Sequence, residues 1–322
     1  MFQVPSHPSS FATHGHGHQR PSLSLAPQSL HPTSAHYQSS RAGPSTAQTL
    51  NLPRTLSRPA YIEPSPAAIA AAAPELAHTG VPPAYIRAGL RTQAPQMQAG
   101  IAAIPSSHLP RSMQKSQVPQ VLPVPVRTSS SKMYPTHVLA ISQSSSSRSS
   151  GSEQALLFPV HALVVAAQCA SVPRLPPSSV SAGTASLSVL PLALPSAQAF
   201  RLLHAFLYTH SPAALLQGLI PLPSSFVSSL AAQPESEENR ERNPALESTL
   251  GSPQTLHALS QYLVSASSGE NIVQALMAHA AHVKELWQDA VALGVHDPTL
   301  WAAMDLAWEV VLGAINIAAA SA

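Results

Sequence analysis

Leu156-Leu157-Phe158-Pro159-Val160-His161-Ala162-Leu163-Val164-Val165-Ala166-Ala167 decides the reading of this chain. Residues 156–159 are a short, apolar run of strand length. The residues after His161 carry no turn signal and favour helix, so a strand passes directly into a helix over about 161–169. Working outward, 138–141 forms a first strand and 187–194 a third, with Val189, Leu192 and Leu194 facing a core. The serine run at 144–152 and the Pro/Ser/Gly stretch at 173–186 read as loops.

Further along, Ser196 suits the N-cap of a helix through Tyr208, with Phe200, Leu203, Phe206 and Leu207 as its apolar stripe. A short helix over 213–220 follows. Residues 233–252 read as an acidic linker, a solvated loop. Three helices are predicted beyond it. Ser252 caps the first, with Pro253 at its first position and Leu256, Leu259 and Leu263 inward. Ser267 and Glu270 form a capping box for the second, which carries Ile272, Leu276, Val283 and Trp287 and stops at Gly294. Asp297-Pro298 opens the third, whose broad face holds Trp301, Met304, Trp308, Val311, Leu312 and Ile315.

Charge divides the chain. Residues 1–132 hold two acids, Glu63 and Glu75, against ten Lys/Arg, and 19 of the 33 prolines; the other 12 acids and all three tryptophans lie beyond. Frequent proline blocks helices and removes ladder donors. Residues 1–132 are therefore expected to be a disordered basic tail, with one short helix at 66–73 closed by Pro74. The expected organisation is this tail, an α+β segment at 133–232, the linker 233–252, and a helical region at 253–318 on the same core. The fold class is α+β, mostly helical.

No constellation points to chemistry. No Asp precedes Asp289, so a nucleophile–His–Asp arrangement in the central region lacks its third member. Cys169, the single cysteine, sits in an apolar helix and reads as a small core residue, and it allows no internal disulfide. Neither His14-Gly15-His16-Gly17-His18 nor the His279/His282 pair has further ligands in view. No catalytic, cofactor or metal residue is assigned, and a non-enzyme is expected. Scattered Arg residues give diffuse, salt-sensitive attraction to nucleic acid and no specific recognition. Residues 302–322 read as an amphipathic helix because Asp305 and Glu309 interrupt them, so no membrane span is expected. With no signal segment in view, the nucleus or cytoplasm is the expected location.

Two tail features stand out. Pro59-Ala60-Tyr61-Ile62 recurs as Pro83-Ala84-Tyr85-Ile86. The second copy, read as Pro82-Pro83-Ala84-Tyr85, matches a polyproline ligand that seats Pro82, Pro83 and Tyr85 in the groove of a WW domain. Trp301 and Trp308 are core residues first and partner contacts second.

Residues 134–220 resemble a diverged BTB/POZ module. The Phe158–Ala167 stretch is similar to its strand-to-helix signature, and Phe206-Leu207-Tyr208-Thr209 to the end of a later helix. The acidic residue usual at the first strand and the Ser-x-Phe segment after the first helix are absent. More specifically, residues 134–222 and 253–315 resemble the clampless-type proteins of basidiomycete fungi. The carrying segments are Tyr134-Pro135-Thr136-His137-Val138-Leu139-Ala140-Ile141, the Phe158 and Tyr208 stretches, Ala292-Leu293-Gly294-Val295, Leu300-Trp301 and Asp305-Leu306-Ala307-Trp308-Glu309. The resemblance implies a non-enzymatic regulator of sexual development, in clamp-cell formation and dikaryon maintenance. It would act through proteins such as mating-type homeodomain factors and could self-associate. The rival expectation is a ubiquitin-ligase adaptor using the BTB-like segment and Pro82–Tyr85.

Overall fold

Residues 52–65 enter the fold without regular secondary structure. The structure, a computed structural model, describes residues 52–126, 133–144, 154–176, 178–181, 183–232, 243–267, 269 and 271–321. The first helix, α1 (Pro66–Ala72), starts on Pro66 and stops ahead of Pro74 as its prolines require. Next, α2 (Pro83–Ala102) runs for 20 residues with Pro95 inside it and buries Ile86, Leu90, Ala94, Met97 and Gly100 on one side.

Two strands follow, β1 (Ser112–Gln114) and β2 (Val121–Pro125). The expected tail is thereby corrected. Its first 51 residues, with the histidine run, lie outside the described residues, but 52–126 belong to the folded unit of 52–322. Their order comes from contacts far along the chain, which local composition does not register.

The central elements are β3 (His137–Gln143), β4 (Gln154–Val160), α3 (Ala162–Gln168), β5 (Ser179–Ser181), β6 (Thr184–Leu194) and α4 (Ala199–Thr209). The six-stranded sheet has the order β1-β4-β3-β6-β2, with β5 also paired to β6. β3 pairs antiparallel with β4 and parallel with β6. The three strands legible in the sequence are thus the middle of the sheet. Alternation sorts their side chains. Leu139, Ile141, Phe158, Val160 and Leu194 join the main core, whereas Val138, Ala140, Leu157, Leu187 and Val189 join a smaller cluster with Val124 of β2. Pro123 and Pro125 sit in β2, an edge strand, where a missing ladder donor costs least.

Helices build the rest: α5 (Pro212–Leu219), α6 (Ser224–Ala231), α7 (Pro244–Leu250), α8 (Pro253–Ala266), α9 (Ile272–Leu293) and α10 (Pro298–Ala320). The expected loop at 233–252 is corrected over its second half. Asn243 caps α7 by accepting from the Leu246 N–H, Pro244 takes the first position, and Leu246 is fully buried. Residues 233–242 lie outside the described ones.

Ser252 caps α8 as expected. The predicted Ser267 capping box is corrected: Ser267 closes α8, Asn271 precedes α9, and Glu270 is not among the described residues. Gly294 ends α9 with φ +65°, a left-handed conformation that glycine adopts without penalty.

The last helix was expected to be amphipathic, but α10 is apolar nearly all round, with twelve buried residues. It is long and apolar enough to cross a membrane by length and composition. Here it packs against α8, α9, α5 and α7 as a central core helix. The molecule is mixed α+β and mostly helical.

Candidate functional site

The signature residues are fasteners. His161 precedes α3, and its backbone N–H donates to Tyr208 Oη at 3.1 Å. The Met133 carbonyl, 3.0 Å from Nε2, can only accept, so Nε2 carries the ring proton. Nδ1 then accepts from the Tyr208 hydroxyl at 3.1 Å. Burial pushes His161 below the usual histidine range and Tyr208 above the usual phenol range. Beside them His204 is pushed down to about 4, chiefly by burial, and its ring meets the Pro159 carbonyl at 3.0 Å. Phe158 stacks edge-on against Phe200 at 4.9 Å. These neutral groups tie β4, α3 and α4 together. Buried Cys169 is pushed up to about 12 by desolvation, so its thiol stays protonated at neutral pH.

The structure does not bring the expected partner residues together as a surface. Pro82 is the N-cap and Pro83 the first residue of α2, so Pro83-Ala84-Tyr85 is helical and not polyproline II. Two prolines pre-set for a helix start explain the difference. Tyr85 is 73% exposed on the first turn. Trp301 and Trp308 are core residues, 4% and 2% exposed. Their indole N–H groups donate to the Val295 and Pro53 carbonyls.

A cleft of about 270 Å³ lies where residues 61–64, α2 and the loop before α10 meet. Tyr61, Ile62, Arg87, Arg91, His296 and Asp297 line it. Asp297 organises its floor. Oδ1 caps α10 by accepting from the Thr299 and Leu300 N–H groups at 2.9 and 3.1 Å. Oδ2 accepts from His210 Nδ1 at 2.9 Å and faces Arg91 Nη2 at 3.4 Å. Burial alone would raise this carboxyl. The His210 hydrogen bond and the charges of His210 and Arg91 outweigh it and hold Asp297 below the usual range. His210 meets Asp297 from a left-handed turn of φ +48° that ends α4. At the rim, Tyr61 and Ile62 are 60% and 56% exposed. Sequence reading assigned Asp297 as a helix cap and missed this role, because Arg91 and His210 lie far away in the chain.

A second polar cluster has a buried centre and a part-buried edge at Glu285. Asp289 of α9 is fully buried, accepts from the Ser196 N–H at 3.0 Å, and leaves Oδ2 without a partner. Ser196 Oγ donates to Glu285 at 2.8 Å. Burial, with Glu285 adding to it, pushes Asp289 up to about 7. Among the described residues no group of three His, Cys, Asp or Glu could hold a metal ion.

The cleft is also where two family models meet. Residues 59–195 match the N-terminal domain of clampless protein 1, and residues 213–322 match its C-terminal domain. The chain belongs to the clampless protein 1 family. Its domains are consistent with a role in clamp formation. No curated protein and no solved structure matches the chain. Tyr61, Arg87 and Arg91 come from the N-terminal family domain, and His296 and Asp297 from the C-terminal one. His210 sits between the two matched segments.

Proposed function

We propose that this chain is a non-enzymatic regulator of sexual development that supports clamp-cell formation and dikaryon maintenance by binding protein partners of the mating-type transcriptional pathway. One observation carries the reading. The junction of the two family domains is an open cleft with exposed Tyr61 and Ile62 on its rim and Arg87 in its wall. Aromatic and arginine side chains of this kind are typical anchors of protein interfaces. The ionisable groups around it are engaged in holding the fold, as the Asp297 geometry illustrates. The proposed setting is the nucleus or cytoplasm, with no cofactor, no specific nucleic acid and no membrane.

Affinity purification from mating fungal cells tests this, using the full chain beside its Tyr61→Ser/Ile62→Ser variant. Mating-type homeodomain factors should come down with the full chain, and the variant should lose them while keeping its thermal transition. Ubiquitin-ligase subunits in their place would favour an adaptor role. Equal recovery of partners by the variant would remove the cleft from the reading.

A further inference from the structure

Residues 52–62 lie as a strap across the seam of α9 and α10. Its direction opposes α10: Pro53 meets Trp308, Arg58 meets Asp305, and Ile62 meets His296. Two indole N–H groups read its backbone, Trp308 Nε1 donating to the Pro53 carbonyl at 3.2 Å and Trp287 Nε1 to the Ser57 carbonyl at 3.1 Å. Between them Leu56 is 8% exposed and belongs to the main core. The Arg58 guanidinium pairs with Asp305, also through Nε at 3.2 Å.

Such contacts describe a peptide in a receptor more than a segment of a fold. Backbone carbonyls are read at two points, one apolar side chain is buried, and one charge is matched. The seam belongs entirely to the C-terminal family domain, whereas 52–58 precede the first residue of the N-terminal one. The charged contact is light, because the ion pair has side chains 48% and 29% exposed and is screened by salt. Lifting the strap would uncover Trp308 and the site of Leu56, an apolar surface that needs an occupant.

We propose that the α9–α10 seam is a peptide-binding site which its own strap keeps closed. In trans it takes a segment of a partner protein that lies without regular secondary structure, as the strap does, with an apolar residue followed two positions later by arginine. Asp305 selects the arginine, the Leu56 site selects the apolar anchor, and Trp308 and Trp287 hold the backbone on either side of the bend at Arg54-Thr55. The inference deepens the reading above and rests on it in taking the ligand to be a protein.

The test titrates a fluorescent peptide of residues 52–62 into the purified full chain and its Leu56→Asp/Arg58→Glu variant. A strap that occupies the site lowers apparent affinity by the fraction of time it is bound, so the variant should bind at least about tenfold more tightly. Adding Asp305→Arg to a Leu56→Ser/Arg58→Ala variant, whose strap cannot pair with the new arginine, should abolish binding, and a peptide carrying Arg58→Asp should restore it. Circular dichroism melting of the milder Arg58→Ala variant guards against loss of fold, and this variant should show an intermediate gain.

Equal affinity for wild type and both strap variants would overturn the proposal. So would concentration-dependent dimerisation of the wild type that the strap variants lose, since the occupant would then be a second copy. An empty pull-down from cells with peptide binding intact would overturn the regulatory reading alone. Retained partners without peptide binding would overturn the seam alone.

Discussion

His161, Tyr208 and Asp289 are informative because each sits where burial shifts its protonation. The Tyr208 hydroxyl serves two groups of His161, the backbone N–H and Nδ1. Tyr208→Phe keeps the ring and leaves both without a partner inside the protein. The expected loss is about 1–3 kcal/mol, the cost of unsatisfied buried polar groups, read from urea unfolding. Asp289 acts in the opposite sense. Its carboxyl moves from 3.8 to about 7 on folding, so the folded chain holds the proton more tightly than the unfolded one. The stability linked to this group is complete below about pH 4 and is lost as pH rises through 7. Asp289→Asn keeps an oxygen to accept from Ser196 and removes the titration. It should flatten the stability profile between pH 4 and 8 and stabilise the chain at pH 8 by on the order of 2–4 kcal/mol. An unchanged slope across that range would show that Asp289 is not buried as a proton holder. No sequence signal marks either role, since both depend on neighbours 47 and 93 residues away.

Elements with strong local signals were legible, and those that depend on distant partners were not. Asp297-Pro298, Ser252-Pro253 and Gly294 state helix ends in their own chemistry, and the structure keeps all three. α2 was missed although its buried residues Ile86, Leu90, Ala94 and Met97 follow helical spacing. Pro95 and the small residues around it hid the stripe, and the stripe finds its partners across the chain, on α3 and α4 above all. Gly100 records how close that docking is. A Cβ there would lie 1.7 Å from the Met133 carbonyl oxygen, the same oxygen that receives His161. Gly89, in the same helix, faces open space. The two glycines should therefore respond with opposite signs to alanine. Gly89→Ala gains helix propensity, roughly 0.5–1 kcal/mol. Gly100→Ala gains the same propensity but must push backbone aside, and overpacking of about 1–3 kcal/mol leaves it destabilised. Thermal denaturation of the pair checks this, and a stabilised Gly100→Ala variant would mean α2 is not docked against residue 133.

At the scale of the whole molecule, the boundary suggested by charge is not the boundary of the fold. A cut at 132 follows the composition, but it removes β1, β2, α1, α2 and the strap together. β6 would lose its β2 neighbour, and Ala185, Leu187 and Val189 would lose Val124 and the cover that residues 104–126 supply. α3 and α4 would lose the stripe of α2, and Trp308 would lose the Pro53 carbonyl. A chain of residues 52–322 should unfold in one cooperative transition, because these residues form one compact unit. A chain of residues 133–322 should lack a cooperative transition and bind a hydrophobic dye in native buffer, the behaviour of a core stripped of one sheet face. Near-ultraviolet circular dichroism would report the three tryptophans directly, all of which lie beyond residue 132. A native-like signal and melting from residues 133–322 would mean that the basic segment lies on the fold without supporting it. The Pro-rich half would then be a tail, as its composition alone suggests.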